Sequence, residues 1–198
     1  MAGIPWAENA IVSIKLRDDL YTLGLLKISP YMWFFDIRND SGDWHNVDLN
    51  KAAPLFCVQV ARVVLQRLVA ARVKDKTVIP PDALPIPPNW ITPNMNVGPG
   101  RTGTFAWRGG KLVQLQPGPD SLNSPVIKPR LDVLSDKDAI ESCELTNMWG
   151  DQDLGDRLRR YFDTGINRDD LKFEIFPGLW DDREKLRPLT RRLPEPLR

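Results

Sequence analysis

The chain has 198 residues, 42% of them apolar and 27% charged, with seven Trp and seven Phe, enough to bury a core in one domain or one domain with an appendage. No apolar run approaches the ~20 residues needed to span a bilayer. The opening Met1-Ala2-Gly3-Ile4-Pro5-Trp6 lacks the basic start and apolar stretch of a signal peptide, so the chain reads as cytoplasmic with no membrane partner. The net charge of +1 hides an asymmetry, because residues 131–182 carry 14 acidic and 6 basic side chains while the flanking stretches are both net basic.

In chain order, the first third reads as sheet. Residues 10–17 alternate, with Ile11, Ser13 and Lys15 on one face and Val12, Ile14 and Leu16 on the other. Asp18-Asp19 supplies turn chemistry, and residues 20–28 read as the return strand. Ser29-Pro30 breaks that strand, and the aromatic stretch 31–38 predicts a third. Residues 55–61 predict a further strand and 62–73 a helix, although the apolar spacing there fits either.

Residues 77–100 hold seven prolines, which exclude a helix and any central strand. Ile79, Leu84, Ile86, Trp90 and Ile91 are too apolar for a free linker, so this segment reads as a packed strap. Residues 102–107 and 111–116 flank Arg108-Gly109-Gly110 as a hairpin would. Ser135 with Asp138 resembles a capping box. The clearest helix is 152–163, where Leu154, Leu158, Tyr161 and Phe162 form one apolar stripe, Asp151 or Asp153 caps the start and Gly165 ends it. Residues 171–176 alternate as a last strand.

These elements imply a β-rich α+β fold, either a strongly twisted antiparallel sheet or a small barrel, with one or two C-terminal helices. Residues 1–180 are expected to form a single domain that includes the strap, with 181–198 a charged tail.

The side chains that carry chemistry are sparse. The single histidine, His45, rules out a site built from several imidazoles within one chain. No Gly-x-Ser-x-Gly elbow accompanies it, and Cys57 and Cys143 read as two buried thiols. Gly98-Pro99-Gly100-Arg101-Thr102-Gly103 spells a dinucleotide-binding pattern, but a proline-rich stretch precedes it and strand-like residues follow, so it reads as a loop. The sequence therefore assigns no catalytic residue, no cofactor and no metal. A pI near 7.7 argues against a nucleic-acid partner. The acidic block has two readings, solvated helix caps or a negative surface that meets a basic partner. On the second, the candidate interface is Trp149 as anchor, ringed by Glu141, Glu144, Asp151, Asp153 and Asp156; the alternative for Trp149 is packing beneath the helix that follows.

Several stretches carry a family resemblance. Tyr21-Thr22-Leu23-Gly24-Leu25-Leu26, then Phe34-Phe35-Asp36-Ile37 and Pro54-Leu55-Phe56-Cys57-Val58-Gln59-Val60, resemble the N-terminal strands of the immunity protein 26 family. Glu141-Ser142-Cys143-Glu144-Leu145, leading to Trp149 and to Asp156-Arg157-Leu158-Arg159-Arg160, resembles that family's acidic, Trp-containing C-terminal segment. The resemblance implies a mostly β protein of a bacterial polymorphic toxin system, which binds a cognate toxin, one to one, and neutralises it without chemistry of its own. Related sequences are also labelled organophosphate hydrolases, which keeps a metal-dependent phosphotriester hydrolase as an alternative, and a nucleic-acid-binding module stands as a second. Homodimerisation stays open.

Overall fold

The computed structural model describes residues 4–96, 105–116 and 123–186. Its elements begin with β1 (Ile11–Arg17), β2 (Leu20–Leu26), β3 (Tyr31–Asn39), β4 (Pro54–Val60), α1 (Arg62–Arg67) and β5 (Val69–Arg72). There follow β6 (Asn89–Asn96), β7 (Phe105–Gln114), β8 (Val126–Lys128), α2 (Lys137–Ser142) and β9 (Met148–Trp149). The chain continues through α3 (Asp151–Thr164), α4 (Lys172–Ile175) and α5 (Arg183–Leu186). The fold is α+β and rich in strand. It divides into two compact units, Met1–Ile86 with Met148–Asn167, and Pro87–Asn147 with Arg168–Arg198; the domain expected over 1–180 contains parts of both.

The first unit is built on a six-stranded sheet in the order β5-β1-β2-β3-β4-β9. Strands β1 to β4 form an antiparallel meander, β5 returns to pair with β1, and β9 adds in parallel to β4. Register shifts interrupt each pairing from β5 across to β4, and such irregularities sharpen the twist. The sheet curls into a half-barrel. The alternation along β1 sorts its side chains as expected: Val12, Ile14 and Leu16 enter one core with Met32, Phe34, Phe56 and Val58, closed by Val64 and Leu65 of α1 and by Leu154 and Leu158 of α3. Ile11 enters a second core on the opposite face with Leu23, Leu25, Phe35, Trp44 and Leu49. Ser13 is buried there too, and its hydroxyl accepts from Trp44 Nε1 at 2.9 Å. The first part of the proline-rich segment lies on this second face, with Val78 and Leu84 packed into it and Trp33 Nε1 donating to the Pro85 carbonyl at 3.2 Å.

The second unit carries a three-stranded sheet, β6-β7-β8, beside short helices. Ile91, Leu131, Ile140, Leu145, Ile175 and Phe176 form its core.

Several sequence expectations need correction. The helix expected over 62–73 stops at Arg67, because Val69–Arg72 pairs with β1 as an edge strand. Residues 89–96 are a strand rather than strap; Pro93 is tolerated because β6 is an edge of its sheet. The hairpin around Arg108-Gly109-Gly110 is instead one strand, β7, interrupted by a bulge. The alternation over 171–176 belongs to the short helix α4; its polar residues Lys172 and Glu174 are buried, so the pattern did not mark a solvent face. Neither expected helix cap forms: α3 begins after Gly150 and α2 after Asp136, both without a side-chain cap bond. Asp151 and Asp153 still occupy the first turn of α3, where the macrodipole favours acidic groups, and Gly165, at φ 76°, ends that helix as expected. The dinucleotide-like glycine pattern and the end of the charged tail lie outside the described residues.

Candidate functional site

The first unit carries an apolar cleft of about 620 Å³. Its walls come from the N-terminal segment (Ile4, Pro5, Trp6), the Ser29-Pro30 turn, the end of β4, and α1. Two bonds fix the N-terminal segment: Trp6 Nε1 donates to the Lys27 carbonyl at 2.8 Å, and Arg72 Nη2 donates to the Pro5 carbonyl at 2.9 Å. On the opposite wall, Ala61 N–H donates to the Trp149 carbonyl at 2.9 Å, which holds β9 at the end of β4. Arg62 and Gln66, both exposed, contribute polar groups to the cleft together with Ser29. The volume falls within the range of small-ligand and anchor pockets.

The two residues of β9 point to opposite sides, as strand geometry requires. Met148 lines the cleft and is 53% exposed, while Trp149 is 5% exposed and packs in the core with Leu154 and Leu158. Trp149 thus takes the packing alternative and is almost wholly covered. Its Nε1 is buried with no acceptor among the described residues. The neighbouring methionine holds the exposed apolar position, and an adaptable thioether suits a contact surface.

The other candidate residues fall in different surroundings. Asp151 accepts from Arg67 at 3.2 Å, which joins the start of α3 to the end of α1 beside the cleft. Asp153 is exposed in the first turn of α3. Asp156 is buried and accepts from Arg159 Nη2 at 2.5 Å, while Arg159 Nη1 donates to the Leu16 carbonyl at 2.9 Å. Glu141 and Glu144 belong to the second unit. There, Glu141 accepts from Trp180 Nε1 at 2.8 Å, and the Glu144 carbonyl accepts from Ile91 N–H at 2.9 Å. The acidic block is therefore laced with partners: Asp136 pairs with Lys128, Asp163 with Arg17, Glu174 with Arg183 and Asp182 with Arg168. The Asp136 carboxyl titrates below its usual range because Lys128 bonds to it. The Asp132 carboxyl is lowered by the Ser135 and Leu134 backbone N–H groups.

His45 Nδ1 lies 2.5 Å from Asp75 Oδ2 on the surface. The Thr77 backbone N–H, then the Thr77 hydroxyl and His45, hold the Asp75 carboxyl down at about 2. Both cysteines are thiols rather than disulfide partners; burial pushes the Cys143 thiol up, which leaves it less nucleophilic than an exposed one. Among the described residues, no three His, Cys, Asp or Glu side chains converge as a metal site would need, and no helix is long and apolar enough to cross a membrane.

Sequence reasoning missed Trp6, Leu65, Gln66 and Met148 as neighbours. The available signal was the dipeptide Met148-Trp149 before a helix, but a two-residue strand has no periodicity to reveal its outward residue.

No curated protein and no solved structure matches the chain. The sequence profile of the family described as a domain of unknown function, DUF8309, matches residues 1–181, and the chain belongs to that family.

Proposed function

We propose that this protein works by binding another protein and that, following its resemblance to the immunity protein 26 family, its partner is a cognate toxin which it neutralises one to one in the cytoplasm. The observation that supports the binding reading is the cleft around Met148. It offers an apolar recess next to an exposed methionine, with Arg62, Gln66 and the Arg67–Asp151 pair beside it. An apolar centre within a polar rim is the anatomy of a protein interface, and a stable inhibitor buries about 800 Å² on its own side. Asp151 and Asp153 keep their proposed part as rim charges, while Trp149 and Asp156 support the site from within. No carboxylate triad or nucleophile–base pair is needed for that role.

If a toxin-like gene lies beside its own, the test is co-expression with that gene product's C-terminal domain, counting survivors and isolating the complex. The wild type should protect and co-purify with the toxin domain. Met148→Glu, which puts a charge at the mouth of the apolar recess, should weaken the complex by tenfold or more, on the order of 1.4 kcal/mol. Absence of protection by the wild type would sink the inhibitor reading. Full protection by Met148→Glu would move the interface away from the cleft.

A further inference from the structure

Among the described residues six large apolar side chains are exposed, and three of them fall within residues 126–134 of the second unit. Val126 is 47% exposed, Ile127 52% and Leu134 92%. The first two belong to β8, the outer strand of the β6-β7-β8 sheet, which pairs with β7 and with no other strand among the described residues. Leu134 stands on the turn that follows. Asp132 Oδ1 accepts from the Leu134 and Ser135 N–H groups at 3.0 Å each, and Asp136 Oδ2 accepts from the Asp132 N–H at 2.9 Å. Lys128 Nζ donates to Asp136 Oδ1 at 2.6 Å, which bonds this turn to β8. A set of hydrogen bonds thus holds a leucine out in water, in the manner of a pre-organised contact.

An open strand edge offers backbone groups to any strand that meets it, and folded proteins commonly guard such edges with charge. On β8 that guard is missing. Residues 123–129 hold one charged side chain, Lys128, and Asp136 takes up its ammonium. Pro125 and Pro129 flank the strand and have no N–H to donate, which confines any added pairing to Val126–Lys128. A like strand that pairs antiparallel over that length has its two-fold axis at Ile127. Ile127 then faces its own copy, and Val126 faces Lys128 of the second copy, so no like charges stand opposite each other. The edge is complementary to itself.

We propose that β8 pairs antiparallel with β8 of a second copy about a two-fold axis at Ile127, with Leu134 covered at the flank of the same contact. The pairing draws on residues of the second unit and its test needs no toxin, so it and the inhibitor reading can fail separately. Sedimentation of the full chain from about 10 µM to about 1 mM covers the range in which a small interface associates. The wild type should pass from monomer to dimer as concentration rises. Ile127→Lys sets like charges against each other across the axis and should weaken the dimer by about tenfold or more, and so should Ile127→Glu. An equimolar mixture of the two variants should form a heterodimer more tightly than either variant pairs with itself, because the axis then places Lys against Glu. Leu134→Ser should also weaken the dimer. Ile79→Lys, which adds the same charge at an exposed apolar residue of the first unit, should leave it unchanged. Ile127 is half exposed, so neither of its substitutions empties the core, and thermal melting of each variant verifies the fold. A wild type that stays monomeric over the whole range overturns the proposal, as does equal weakening by Ile79→Lys, which marks general charge repulsion. Failure of the mixture to associate more tightly than either variant alone overturns it too, since apolar adhesion without this register gives no such rescue.

Discussion

The guanidinium of Arg157 lies over the ring of Phe56, its central carbon 3.7 Å from the ring centroid, in a position only 4% exposed to solvent. The Trp149 ring lies 5.2 Å from the same carbon. Arg157 Nε donates to Asn167 Oδ1 at 2.8 Å, and Asn167 Nδ2 in turn donates to the Leu55 carbonyl at 3.3 Å. One side chain of α3 thereby ties β4, β9 and the segment after the helix. A desolvated cation over an aromatic face is worth up to about 2 kcal/mol, and an ammonium cannot reproduce the planar stack. Arg157→Lys is expected to cost about 1–3 kcal/mol, measured as a lower urea midpoint at unchanged slope.

Lys172 does comparable work in the second unit. Its Nζ donates to the carbonyls of Ile140 at 2.6 Å, Glu141 at 3.2 Å and Cys143 at 2.7 Å, where α2 ends, and the residue is 2% exposed. The ammonium satisfies acceptors at a helix end and lies at the favoured pole of its dipole. Lys172→Met would leave those carbonyls without this donor, at a cost of about 2–4 kcal/mol. Amide exchange over 137–143 should accelerate together with the fall in stability. Unchanged exchange there would mean that α2 ends without need of this cap.

Gly24 sits in the middle of β2, where an added Cβ would come 2.3 Å from Met32 Cε and 3.2 Å from Ile14 Cδ1. Gly24→Ala therefore overpacks the core by about 1–3 kcal/mol, despite alanine's lower backbone entropy cost. The obstructing atom is the end of a flexible side chain, so Gly24→Ala combined with Met32→Val should be less destabilised than the two single losses added together. A double-mutant cycle on thermal stability measures that coupling, and strict additivity would show that the clash is relieved elsewhere.

Asp75 supplies a pH dependence. Its folded value of about 2 lies below that of a free aspartate, so the deprotonated carboxylate is the form the fold favours. The contribution is complete above about pH 4 and is lost as pH falls through about 2. Asp75→Asn should be less stable than wild type at neutral pH, with the gap closing between those limits. Stability measured on both proteins across that acid range checks the sign, and a gap that widens on acidification would contradict it.

Met148 should behave in the opposite way to these structural residues. Because its side chain is 53% exposed, Met148→Glu is expected to change stability by no more than about 0.5 kcal/mol while disrupting partner binding. Thermal melting of the purified variant separates loss of contact from loss of fold.

Local periodicity carried much of the first unit. The two faces of β1, the turn at Asp18-Asp19, the strands around Phe34 and Phe56, and the stripe of α3 with its stop at Gly165 were legible because each depends on neighbours within a few residues. Other features depended on partners far along the chain. Val69–Arg72 became a strand because β1 had an open edge, and Met148 faced outward because β9 pairs with β4. Lys172 is buried because carbonyls some thirty residues earlier lie within its reach, and Arg108 and Gly109 form a bulge pinned by Asn94 where the local Gly109-Gly110 pair had suggested a hairpin. Sequence by itself determined the short-range repeat of apolar and polar side chains, which backbone geometry converts directly into faces. Only tertiary structure decided which polar groups would be buried and which edges would find a partner, since both depend on contacts that no short window of sequence contains.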